Sequence, residues 1–221
     1  MNPSPITQHV AQARGAEPAR RSLQPARTSG DKPIKRRLRF RHLLVTGIVA
    51  ATAAWPLTPL AHAGPTEPDV PSKIQVPDGN KLFLVGHAAG VQIYHCNATP
   101  TGYAWGFVGP RANLHDDNGK LIATHSGGPT WQATDGSKVI GQRVGDPVTV
   151  DVNAIPWLLL SAASTSAGPD GTRLINTTYI QRIATTGGLI PPAGECNAAT
   201  VGTANEVPYT ADYYFWKATG A

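Results

Sequence analysis

The residues best equipped for chemistry crowd into one stretch, His125 to Ser137, which holds an imidazole, two serine hydroxyls, a carboxylate and an indole. Ser126 or Ser137, with His125 and Asp135, are the types that nucleophilic catalysis combines. Serine attacks, histidine takes the proton and the carboxylate orients the ring, provided all three lie within hydrogen-bond reach. Local geometry argues against that use. Neighbours on a strand project to opposite faces, so His125 and Ser126 do not meet side by side. No G-x-S-x-G elbow occurs, and Asp135-Gly136-Ser137 has the composition of a β-turn. Trp131 follows Gly127-Gly128-Pro129-Thr130, which reads as a loop, so it is expected as an exposed aromatic wall with His125 as its polar handle. The candidate binding residues are therefore His125, Trp131, Asp135 and Ser137, with no catalytic residue assigned.

Other constellations are weaker. Four histidines follow the leader: His87, His95, His115 and His125. If Ala89-Gly90 is a two-residue hairpin turn, His87 and His95 face opposite sides, and one metal cannot take both. No H-x-H or H-E-x-x-H pattern repairs this, so neither a metal nor a cofactor is expected. Glycoside cleavage needs two acids facing each other across a cleft. Asp116 and Asp117 are neighbours in the turn-like Asp116-Asp117-Asn118-Gly119, which also lacks the rest of a calcium loop. Aromatics fill β-cores, and Tyr209, Ala211, Tyr213 and Phe215 alternate as one buried face would. Trp157, inside an apolar run, is expected in the core.

Charge divides the chain. Up to Ala63 there are ten Lys/Arg and two Asp/Glu, whereas Gly64 onward carries nine and twelve. The folded part is mildly acidic, which argues against nucleic acid as a partner. Lys35-Arg36-Arg37-Leu38-Arg39-Phe40-Arg41 leads into an apolar run ending at Ala54, and Ala61-His62-Ala63 closes the segment. A cationic flank, a short apolar run and an A-x-A site make a secretory signal peptide, with cleavage expected after Ala63. The run is too short to span a bilayer, so no stable membrane anchor is expected after cleavage. Arg36-Arg37 permits a twin-arginine reading, although Phe40 sits one position late for it. Cys96 and Cys196 are the only cysteines, and an even pair in an exported chain reads as one disulfide.

The elements that must position these groups are strands. Residues 1–63 read as a disordered extension plus signal peptide, 64–80 as a Pro-rich extended lead-in, and 81–218 as a single β-domain. Within it, Leu82–His87 and Val91–Cys96 read as a hairpin, and Arg173–Ile183 as the longest strand. Ile155–Leu160 is a continuous apolar run suited to burial on both faces. Glycine and proline turns recur, and no stretch has helical apolar spacing. The predicted fold is all-β: an antiparallel β-sandwich or closed β-barrel of about 8–10 short strands with little helix.

Several motifs in order carry a resemblance: Gly90-Val91-Gln92-Ile93-Tyr94-His95-Cys96, Trp105-Gly106-Phe107, His125-Ser126-Gly127-Gly128-Pro129-Thr130-Trp131, Tyr179-Ile180-Gln181-Arg182 and Val207-Pro208-Tyr209-Thr210-Ala211-Asp212. Over roughly residues 75–217 the chain resembles the domain-of-unknown-function 3455 family of exported bacterial and fungal proteins. Some fungal members carry a malate dehydrogenase label, but no G-x-G-x-x-G lies between a strand and a helix here. A nicotinamide-dependent dehydrogenase is not expected. The leading expectation is a secreted, non-enzymatic module that binds a small molecule or a cell-envelope component. Two alternatives stand beside it: a secreted hydrolase or metal-dependent oxidase using His125 and Asp135, and a structural surface protein without a ligand.

Overall fold

The structure, a computed structural model, describes residues 64–221 of the chain. The extension, the signal peptide and its cleavage after Ala63 lie outside the described residues. Eight strands follow in order: β1 (Asn80–Thr99), β2 (Gly102–His115), β3 (Leu121–Ser126), β4 (Thr130–Ala133), β5 (Lys138–Val148), β6 (Trp157–Ser166), β7 (Thr177–Gly187) and β8 (Ala204–Ala218). Each pairs antiparallel with the next, and β8 pairs with β1, so the sheet closes into a barrel. Closure leaves no unpaired edge. An eight-stranded ring has an interior that side chains can fill, or that can hold one small ligand.

The expected hairpin at Ala89-Gly90 does not exist. β1 runs straight through it, and Gly90 pairs with Ala112 on one side and Tyr209 on the other. A Cβ on Gly90 would stand 2.1 Å from the Arg111 carbonyl oxygen. The glycine is there to let two backbones approach, a role that looks like a turn until the partner strand is known. The facing argument built on that turn for His87 and His95 falls with it. β1, at 20 residues, is also the longest strand. Arg173–Asn176 belong to the loop before β7, not to a strand.

Alternation delivers the core. Tyr209, Ala211, Tyr213 and Phe215 point inward from β8 and join Leu114, Trp131, Val139, Leu160 and Ile180. A second cluster lies outside the ring, where Ile74, Leu159 and Ile183 are buried with Trp157 against them. Trp157 is thus half-buried on the outer side rather than in the barrel core. The Pro-rich lead-in makes this second layer: a 3-10 turn at Ser72–Ile74 presses Ile74, fully buried, onto the barrel wall. Gln181 Nε2 donates to the Ile74 carbonyl at 2.8 Å, and Trp216 Nε1 donates to Gln181 Oε1 at 2.9 Å. The apolar run of β6 is covered on both faces for that reason, with Leu160 inside and Leu159 beneath Ile74. Each such side chain contributes about 1.5–3 kcal/mol.

Consecutive antiparallel neighbours place successive connections at alternate ends of the ring. The connections at 100–101, 127–129, 149–156 and 188–203 share one end, and those at 116–120, 134–137 and 167–176 share the other. The Cys96–Cys196 disulfide, with Cα atoms 5.3 Å apart, ties the 188–203 connection to β1 at the first end.

Candidate functional site

A pocket of about 590 Å³ opens at that first end, a volume within the ordinary range for small-molecule sites. Its apolar wall includes Phe107, Val108, Trp131, Leu158 and Leu160, and its polar groups are Gln92, His125, Gln142, Arg143, Arg182 and Tyr213.

Two of its members meet through strand register. His125 on β3 pairs with Trp131 on β4, and their rings stack at 4.2 Å with 8° between the planes. Tyr213 meets both edge-on at 5.0 and 5.3 Å, and Phe215 meets the indole at 6.1 Å. Trp131 is not the exposed loop residue that the Gly-Gly-Pro break implies. It points into the barrel from β4 and is 1% exposed, because the turn closes by Pro129 and the strand begins at Thr130. Gly141 on the adjacent strand makes room for the indole, since a Cβ there would stand 3.0 Å from its ring and 2.9 Å from Leu160.

His125 is chemically defined. Its Nδ1 lies 3.0 Å from the Thr130 carbonyl oxygen, and a carbonyl only accepts, so Nδ1 carries the proton. Burial holds the ring neutral, with its pKa lowered to about 3. The Nε2 lone pair is left as an acceptor.

Two buried donors at the pocket have no partner: Gln92 Nε2 and Trp131 Nε1. Native interiors leave few such groups, and each costs about 1–3 kcal/mol when unpaired. Arg182 reaches the same space. Its cross-strand partners are Leu158 and Tyr213, and its Nε and Nη2 donate to the Pro156 carbonyl at 3.2 and 2.7 Å. No carboxylate lies within salt-bridge distance of it among the described residues. Gln92 and Arg182 escape a reading aimed at catalytic spacing. A usable signal existed for Arg182: it falls two positions after Ile180, on the inward parity of β7.

Asp135 and Ser137 sit elsewhere. Their turn joins β4 to β5 at the opposite end of the ring from the Gly127–Pro129 turn, and neither residue lines the pocket. Ser137 Oγ donates to Asp135 Oδ1 at 2.6 Å and accepts from the Leu174 N–H at 3.1 Å. Asp135 Oδ2 accepts from the Arg173 N–H at 2.9 Å. The Ser137 hydroxyl and then the Arg173 N–H hold the Asp135 carboxyl below its usual range. These bonds pin the 167–176 connection to the barrel end, so the serine hydroxyl has a structural duty and the imidazole of His125 is out of its reach.

The remaining titratable cluster is on the outer face. His87 Nδ1 lies 2.7 Å from Asp212 and Nε2 lies 2.8 Å from Asp117. Both nitrogens donate to carboxylates, so the ring favours the imidazolium, and Asp117 followed by Asp212 raises its pKa. With both lone-pair positions occupied, it can act neither as a base nor as a metal ligand. Among the described residues, no three His, Cys, Asp or Glu side chains converge on a metal-sized space.

Comparison with known families now has a geometry to attach to. The family described as protein of unknown function (DUF3455) matches residues 77–217. The chain belongs to this family. No curated protein and no solved structure matches the chain. The DUF3455 match begins three residues before β1 and ends within β8, so the family unit coincides with the closed barrel and its disulfide. The buried Ile74 and most of the Pro-rich lead-in lie outside it.

Proposed function

We propose that this DUF3455 protein is an exported, non-enzymatic binding module that takes one small molecule, of environmental or cell-envelope origin, into the mouth of its barrel. The observation that carries the reading is the pair of unpartnered donors, Gln92 Nε2 and Trp131 Nε1, on residues that line the pocket. A fold that spent about 1–3 kcal/mol on each would gain by removing them unless a ligand supplies their acceptors. The disulfide suits export, because oxidising compartments preserve such bonds.

Two experiments test this. In ¹H–¹⁵N spectra, the neutral probe N-phenyl-1-naphthylamine should shift the Trp131 indole N–H resonance with saturable 1:1 behaviour. Trp131→Phe identifies that resonance by its loss. Gln92→Leu should raise the unfolding free energy by about 1 kcal/mol, because it deletes an unpaired buried donor without opening a large cavity. Unchanged spectra at saturating probe, together with a destabilised Gln92→Leu variant, would make both groups structural. Export has its own check: N-terminal sequencing of protein recovered outside the cytoplasm should begin at or near Gly64, and material beginning at Met1 would count against it.

A further inference from the structure

We propose that the ligand is an amphipathic monoanion, a carboxylate joined to a flat apolar body, with Arg182 as its charge anchor; this rests on the binding reading above. Charge supports it first. The pocket includes two guanidinium groups, Arg182 within and Arg143 at the exposed rim, and no Asp or Glu lines it. Arg182 projects from the inward face of β7, where its guanidinium donates to the Pro156 carbonyl and lies beside the Tyr213 hydroxyl, and no carboxylate among the described residues pairs with it. A cation partly withdrawn from water without a counter-ion gains from an anion beside it, and a single guanidinium balances a single negative charge.

Hydrogen-bond polarity is the second support. Guanidinium has five N–H groups in a planar fork, and the Pro156 carbonyl engages the Nε–Nη2 side. The N–H groups beyond that side, with the Tyr213 hydroxyl beside them, are the ones that can fork onto a carboxylate. The unpartnered Gln92 and Trp131 groups are donors as well. Two guanidinium groups, the unpartnered donors and the absence of any acid in the lining favour an anionic, acceptor-only head group over an ammonium. His125 Nε2, an acceptor, suits a hydroxyl or amide N–H elsewhere on the ligand. Leu158, Leu160, Phe107 and Val108 then cover the apolar body.

The test is a matched series titrated calorimetrically into the protein spanning residues 64–221: 2-naphthoate, 2-naphthamide and 2-naphthylmethylammonium. The carboxylate should bind at least tenfold more tightly than the amide, its affinity should fall with added salt, and the ammonium should not bind. Arg182→Gln should reduce the naphthoate-to-amide affinity ratio to about one, and Arg182→Lys should recover part of the loss. Near-UV circular dichroism checks that each variant is folded. If Arg182→Gln does not fold, the salt dependence and the carboxylate-to-amide ratio of the unmodified protein decide alone. Equal binding of carboxylate and amide would overturn the anion assignment and leave the pocket reading standing. Absence of binding by all three at millimolar concentration would overturn both.

Discussion

Replacing Cys96 and Cys196 with serine is expected to be the most damaging change to this barrel short of emptying its core. The bridge joins residues 100 positions apart. Closing a loop of that length removes denatured-state entropy equivalent to about 4.7 kcal/mol in the chain-entropy model. Unfolding free energies of single domains are typically 5–15 kcal/mol, so the loss is a large share of the total. For a domain of this size, the midpoint of thermal unfolding should fall by on the order of 10–15 °C. Part of the local geometry survives without the bond. The Cys96 N–H still donates to Thr203 at 2.9 Å, and the Gly202 N–H to Cys96 at 2.9 Å, so the 188–203 connection keeps two backbone tethers. Calorimetric scans of the oxidised protein and the double variant measure the difference. Coincident midpoints, or two free thiols titrated in the native protein, would contradict it.

The second large effect concerns acid. His125 is 4% exposed and stays neutral down to about pH 3, whereas in the unfolded chain it takes a proton near its ordinary value. Burial is the main cause, with a smaller contribution from the positive charge of Arg182. The sign follows from proton counting. Between the folded and unfolded pKa values the unfolded state binds more protons, so stability rises with pH through that window and falls on acidification. From pH 7 to pH 4 this one residue should remove about 3 kcal/mol, since each unit of separation is worth about 1.4 kcal/mol. His87 works the other way: its raised pKa contributes stability below the unfolded value that is lost as pH rises through the folded one. It is half exposed, so its contribution is small. The diagnostic is therefore a difference. His125→Phe keeps an aromatic against Trp131 but cannot titrate, and its urea-unfolding free energy should gain on the unmodified protein steadily from pH 6.5 down to pH 4. A gap that does not change with pH would show that His125 is protonated in the folded barrel.

How much of this was readable in the residues depends on the range of the physics involved. Strand character is local. Period-two alternation at Tyr209–Phe215 and the turn chemistry of Asp116–Gly119, where Asp116 Oδ1 accepts from the N–H groups of Asn118 and Lys120, need no distant partner. The all-β class and the pairing of the two cysteines follow from such short-range rules and from simple counting. Gly90 marks where those rules stop. A glycine between two β-rich runs serves a tight turn or a close backbone approach, and the Arg111 carbonyl that distinguishes them lies on another strand. The candidate site divides along the same line. His125 and Trp131 are separated by six positions and meet because β3 and β4 pair in register, whereas Asp135 and Ser137, a few positions past Trp131, turn the corner and end at the other rim. Arg182, Gln92 and the pocket itself are products of closure, since a side chain's inward direction has meaning only after β8 has paired with β1 and given the sheet an inside.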